Sequence, residues 1–212
     1  YLNNTTNNAN NPNENYAREF LELFTILKGP QITEGNYTNY TELDIQQAAK
    51  VFSGIKVQYD RSIIDPDTNL PKGRIAVGNH DTTNKTFSSA FDNQTITGGH
   101  SEETIINELD AFVEMIFEKE ATAKSFCRKL YRFYVKSEIT DEIENDIIGP
   151  LASELMNNNY ELLPTVKTLL SSEHFFGNDI ANETDKIIGS IVKSPLQMIS
   201  EISSCFELEI AN

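Results

Sequence analysis

The stretch GGHSEETIINELDAFVEMIF, residues 98–117, decides the fold. Gly98 and Gly99 punctuate the chain, and Ser101 stands at an N-cap position. Ile105, Ile106, Leu109, Phe112, Val113, Ile116 and Phe117 then recur at helical spacing. Side chains three and four residues apart share one face of an α-helix, so these form a single apolar stripe. A stripe of that width needs partners, which makes this the expected central helix of a helical core.

The flanking sequence supplies the partners. Upstream, Tyr16, Ala17, Phe20, Leu21, Phe24 and Leu27 repeat with helical period, with Asn13 as N-cap and Gly29-Pro30 as the stop. Thr41-Glu42-Leu43-Asp44 approximates a capping box before a second helix carrying Ile45, Ala48, Ala49 and Phe52 and ending at Gly54. Downstream, residues 120–135 predict a helix that buries Phe126, Leu130, Phe133 and Tyr134. Another helix starts at Thr140 or Asp141 and carries Ile143, Ile147, Leu151 and Leu155, with a kink or split expected at Gly149-Pro150 because proline lacks the backbone donor. Leu162, Leu163, Val166, Leu169 and Leu170 mark the next, and Ser194-Pro195-Leu196-Gln197 opens a last one bearing Ile199, Ile202 and Phe206.

Residues 55–97 follow a different pattern. Ile55, Val57 and Tyr59 alternate, while 74–77 and 85–87 are short extended candidates among Asp, Pro, Gly and Asn. The expected fold is therefore mainly α, a bundle of about six to seven helices with a small irregular β-meander or long loop over 55–97. Residues 1–12, rich in Asn and Thr, are expected to be a linker, and 13–212 a single helical domain. Both ends read as boundaries within a longer protein.

At 212 residues the chain is long enough for one full core, and 39% apolar content is that of a globular protein. A formal charge of −15 repels phosphate backbones and anionic lipid, which argues against a nucleic-acid partner. No run approaches the roughly 20 apolar residues of a membrane span. Cys127 and Cys205 lie in helical patterns and read as buried thiols rather than a bridge. The histidines are His80, His100 and His174, without HxxxH or HExxH spacing, and no CxxC occurs, so no dedicated transition-metal centre or cofactor is expected. An Asp/Glu-based Mg²⁺ or Ca²⁺ site stays open. GxSxG, P-loop and GxGxxG motifs are missing too.

Three polar groups stand out. Glu14, Arg18 and Glu22 are four residues apart on one helical face, a pattern of i,i+4 ion pairs, of a hydrogen-bonded clamp, or of a carboxylate pair positioned by an arginine. His80 and Asp81 with Lys85 place a base, an acid and a cation in a loop, where a structural clamp, catalysis and ligand contact all compete. Lys124, Arg128, Arg132 and Lys136, with Lys129 beside them, form the concentrated basic stripe of an acidic chain. That stripe is a solvated or internally paired face, or a groove for a carboxylate-bearing ligand.

The run from Asn13 to Thr25, NENYAREFLELFT, resembles the signature segment of the bacterial DUF1800 family. Further similar segments follow in order: Tyr37 to Asp44, His80-Asp81 with Lys85-Thr86-Phe87, Ala123 to Val135, Leu169 to Phe175, and Lys193 to Leu196. The chain departs from the pattern in an apparent insertion near 88–97 and in the Gly149-Pro150 interruption. The resemblance implies large bacterial proteins that frequently carry export signals, hence an extracytoplasmic location, and implies no activity. The expectation is a non-enzymatic binding or structural module with a protein or carbohydrate-type partner. The alternative is a hydrolase-like or transferase-like site where the His80–Lys85 loop meets the polar face of the first helix. There, His80 or Glu14 would be the base, Asp81 would orient it, and Arg18 or Lys85 would stabilise an anion.

Overall fold

The computed structural model describes residues 2–66, 68–176 and 194–206. It is mainly helical, and its strands form three separate two-stranded antiparallel sheets. Where the sequence leads one to expect a single helical body over 13–212, the chain divides into two compact units, Tyr1–Ser125 and Phe126–Asn212.

In the first unit, helix α1 (Glu14–Glu19) starts at Asn13, whose side chain accepts from the Asn15 amide. It continues as a π-turn, Phe20–Phe24, rather than running regularly to Leu27. Thr25 leaves helical geometry, its hydroxyl donates to the Phe20 carbonyl at 2.8 Å, and Leu27 adopts a left-handed φ of 61°. Leu21 and Ile26 are both buried on either side of this break. Strands β1 (Gln31–Thr33) and β2 (Asn36–Tyr37) then form a hairpin.

Helix α2 (Glu42–Val51) buries Ile45, Ala48, Ala49 and Val51. It stops before Gly54, whose φ of +77° and a Cβ-to-Ala76 oxygen approach of 2.9 Å exclude a side chain. Residues 1–12 are not an unattached linker. Asn7 is fully buried, its amide donates to the Ala49 carbonyl at 2.8 Å, and Lys56 Nζ donates to the Asn7 carbonyl at 2.9 Å. The last carbonyls of a helix have no partner within it, and the asparagine amide supplies one.

The small β-region expected over 55–97 consists of two separate antiparallel strand pairs. β3 (Ile55–Lys56) pairs with β4 (Arg74–Ile75), and β5 (Lys85–Thr86) pairs with β6 (Thr95–Ile96). The second pair adds to the core, to which Phe87, Phe91 and Ile96 belong. Helix α3 (Glu102–Phe117) is capped by Ser101, whose hydroxyl accepts from the Thr104 amide while Thr104 Oγ1 accepts from the Ser101 amide. Its Phe112 is the hub of the unit: the rings of Phe20, Phe52 and Phe87 lie 6.0, 5.4 and 5.5 Å from it. Separate segments of sequence thus meet on the helix that the apolar periodicity picks out.

Helix α4 (Glu120–Tyr134) begins in the first unit and runs into the second. Its buried face is Ala123, Cys127 and Tyr131, spaced four apart, whereas Phe133 is 70% exposed. Of the expected face, Phe126, Leu130 and Tyr134 are half-buried beside this stripe, and Phe133 is the residue that turns out to solvent.

In the second unit, α5 (Asp141–Ile143), a π-turn (Glu144–Ile148) and α6 (Gly149–Asn157) follow one another directly. The expected interruption at Gly149-Pro150 is a change of hydrogen-bond register. Gly149 N–H reaches back to the Glu144 carbonyl, and Pro150, which has no N–H to lose, sits in the first turn of α6. In α7 (Leu162–Ser171) Thr165 and Leu169 are buried, while Leu162 and Leu163, expected in the core, are exposed. Helix α8 (Pro195–Cys205) has the expected Ser194–Gln197 cap, but Ile199, Ile202 and Phe206 are exposed. Lys193 lies outside the described residues.

Candidate functional site

The polar loop after β4 builds the most enclosed cluster of the first unit. His80 directs Nδ1 to the Ser53 carbonyl at 2.8 Å and Nε2 to Glu108 Oε2 at 2.9 Å. Lys85 places Nζ 2.7 Å from Glu108 Oε1, an ion pair off the hydrogen-bond line, and donates to the Asp81 carbonyl. The Gly99 amide donates to Glu108 Oε2 at 2.6 Å. The side chains of His80, Lys85 and Glu108 have no solvent exposure at all. Removing charges from water costs several kcal/mol per ion unless geometry and hydrogen bonds compensate, and here each group meets an opposite charge or a backbone dipole.

The elements that hold this cluster follow from sequence. Ser53 lies just past α2, and its hydroxyl accepts from the Asp81 amide at 2.8 Å and donates to the Lys50 carbonyl at 2.6 Å. Gly98 lets the turn before α3 pass close to the 82–83 backbone, where a Cβ would come within 2.2 Å of the Thr82 oxygen. Asp81 is partly exposed. Burial pushes its carboxyl up, but the Thr83 hydroxyl and amide, with Lys85, outweigh this and leave it below the ordinary aspartate value.

Glu108 is the central residue and is missed by motif reading. It is legible in principle: it sits three residues after Ile105 and four before Phe112, a carboxylate on the buried stripe of α3. Asp44 is a second such residue. Fully buried on α2, it accepts from the amide and hydroxyl of Thr41 and from the amide and hydroxyl of Ser88, tying the 88–91 turn to the start of α2.

The Glu14–Arg18–Glu22 face is occupied elsewhere. Arg18 forms a two-pronged pair with Glu42 of α2, one prong at 3.1 Å, and sits 3.5 Å from Glu14 and 3.9 Å from Glu22. The bond to Glu42 raises the guanidinium pKa further. Glu22 accepts from the Tyr40 hydroxyl at 2.5 Å and pairs with Lys28 at 3.1 Å. Burial, and then this bond, push the Tyr40 phenol far above its usual range. Among the described residues this group shares no hydrogen bond or ion pair with His80, Asp81 or Lys85.

The basic stripe of α4 is likewise largely paired. Lys124 meets Glu120 at 2.8 Å, one turn earlier, and Arg128 forks onto Glu144 at 2.8 and 2.5 Å. Lys129 lies over the Phe126 ring at 5.5 Å, with its amine pKa lowered by burial. Arg132 donates through Nε to the Ser137 carbonyl at 3.2 Å and is exposed. Lys136 is half-buried beyond the helix end. His174 Nε2 lies 2.8 Å from the Tyr131 hydroxyl, and the His100 amide donates to Thr104 Oγ1 at 2.9 Å at the head of α3. Among the described residues no group of three or more His, Cys, Asp or Glu is placed to hold a metal ion, and no helix is long and apolar enough to cross a membrane.

A mainly helical protein whose signature polar residues are tied into internal ionic networks is the class that fold and site define. The chain belongs to the DUF1800 family of proteins of unknown function, whose model matches residues 1–207. No curated protein and no solved structure matches it.

Proposed function

We propose that the chain is a non-enzymatic binding or structural module of an exported bacterial protein. The observation that carries this reading is the enclosure of His80, Lys85 and Glu108: a general base must reach the proton that it abstracts, and this imidazole has both nitrogens engaged and no exposed surface. Export and an extracytoplasmic location rest on the likeness to family members that carry export signals. Its partner is a protein or a carbohydrate-type ligand. Arg132 and Phe133, adjacent and exposed at the end of α4, support a carboxylated one, since a guanidinium recognises carboxylates and an aromatic face covers a sugar ring.

The test is a turnover screen of the purified chain on ester, phosphate-ester and glycoside substrates, with a thermal-shift series on neutral and uronic-acid oligosaccharides. No turnover above a blank is expected, with stabilisation by a uronate that Arg132→Gln abolishes. Turnover that disappears in a folded His80→Gln variant overturns the reading. Fractionation of cells making the full-length protein tests export, and a cytosolic pool alone contradicts it.

A further inference from the structure

The second unit contains a cleft of about 220 Å³ between α6 and α7. Its floor is apolar, built by Ile147, Pro150 and Leu151 on one side and Leu169 on the other. Asp146 and Glu154 contribute carboxylates to the same wall. Eight residues separate them, a rise of about 12 Å along a helix, with the apolar residues in between. The π-turn at Glu144–Ile148 brings Asp146 and Ile147 to the lining immediately before Pro150, and such turns recur at binding sites.

The charge of this cleft is unbalanced. Glu154 accepts a hydrogen bond from the Thr168 hydroxyl at 2.9 Å, which orients the carboxylate without neutralising it. Among the described residues no Lys or Arg pairs with Asp146 or Glu154, in contrast to Glu144, two residues before Asp146, which holds Arg128. An apolar trough with a carboxylate near each end complements a flexible aliphatic chain bearing a cation at each end.

We propose that the α6–α7 cleft binds an aliphatic diammonium of polyamine type, its chain on Ile147, Pro150 and Leu151 and its ammonium groups on Asp146 and Glu154. This goes beyond the module reading and holds or fails independently of it, because it concerns residues that take no part in the His80 cluster.

Calorimetric titration of the whole chain at fixed ionic strength tests it, with octamethylenediamine, octylamine and ethylenediamine as probes. The long diamine is expected to bind saturably at one site, octylamine more weakly, and ethylenediamine not at all. Asp146→Asn and Glu154→Gln should each weaken the long diamine by about tenfold. The exposed control Glu114→Gln on α3, which removes the same single charge, should leave it unchanged. Absence of saturable binding, indifference to chain length, or equal loss in the α3 control overturns the proposal.

Discussion

His80 Nε2 lies 2.9 Å from Glu108 Oε2, and Lys85 approaches the other oxygen of the same carboxylate at 2.7 Å. One carboxylate thus serves an imidazole and an ammonium group from more than twenty residues upstream, while also accepting the amide of Gly99. The geometry joins the end of α2, the 80–85 loop and the head of α3 around one buried group.

Groups that share a partner do not act independently. His80→Gln and Lys85→Met, measured singly and together by urea unfolding, are expected to be non-additive, with a coupling of about 0.5–3 kcal/mol. Strict additivity would mean that Glu108 does not join them.

Phe112 is fully buried and meets three other phenylalanine rings. Phe112→Ala removes the common contact and leaves a cavity, so a loss of about 3–5 kcal/mol is expected. Phe133→Ala, on an exposed ring, should change stability by no more than about 0.5 kcal/mol. Thermal or urea unfolding of the two variants checks the contrast.

The thiols should separate by reactivity. Burial, followed by the charge of Glu154, pushes Cys127 up to about 12, whereas Cys205 is exposed on α8. A thiolate is the reacting form, so a thiol reagent near neutral pH should label Cys205 quickly and Cys127 only after denaturant is added. Two fast-reacting thiols in the native protein would contradict the placement of α4.

Asp81 makes an acid-side prediction. Its folded pKa is below the ordinary value, so its contribution to stability is present above the unfolded pKa of about 3.9 and is lost as pH falls through the folded one. Asp81→Asn should therefore be less stable than the parent at neutral pH, and the gap should close as pH falls through the folded pKa. A gap that stays constant across the titration would rule out the ionic part of its role.

Much of the framework was legible because it rests on local rules. Ser101 with Thr104, Thr41 with Asp44 and Ser194 with Gln197 all cap helices where the sequence places them, and Gly54 ends α2 with a positive φ. What escaped depends on tertiary packing. Asn7 looks like any polar linker residue until a helix end needs its amide, and no periodicity distinguishes Phe133 from Tyr131 before α4 finds the side on which small residues admit neighbours. His80 and Lys85 stand out as a base and a cation close together in sequence, whereas the residue that gives them meaning, Glu108, is hidden within the apolar stripe of α3.

Urea unfolding of Glu108→Gln tests most directly whether the buried cluster exists to hold the fold together. The change leaves Lys85 and His80 buried without their carboxylate, and the expected loss is about 3–5 kcal/mol, with an unchanged denaturant slope. A variant within about 0.5 kcal/mol of the parent would contradict the account.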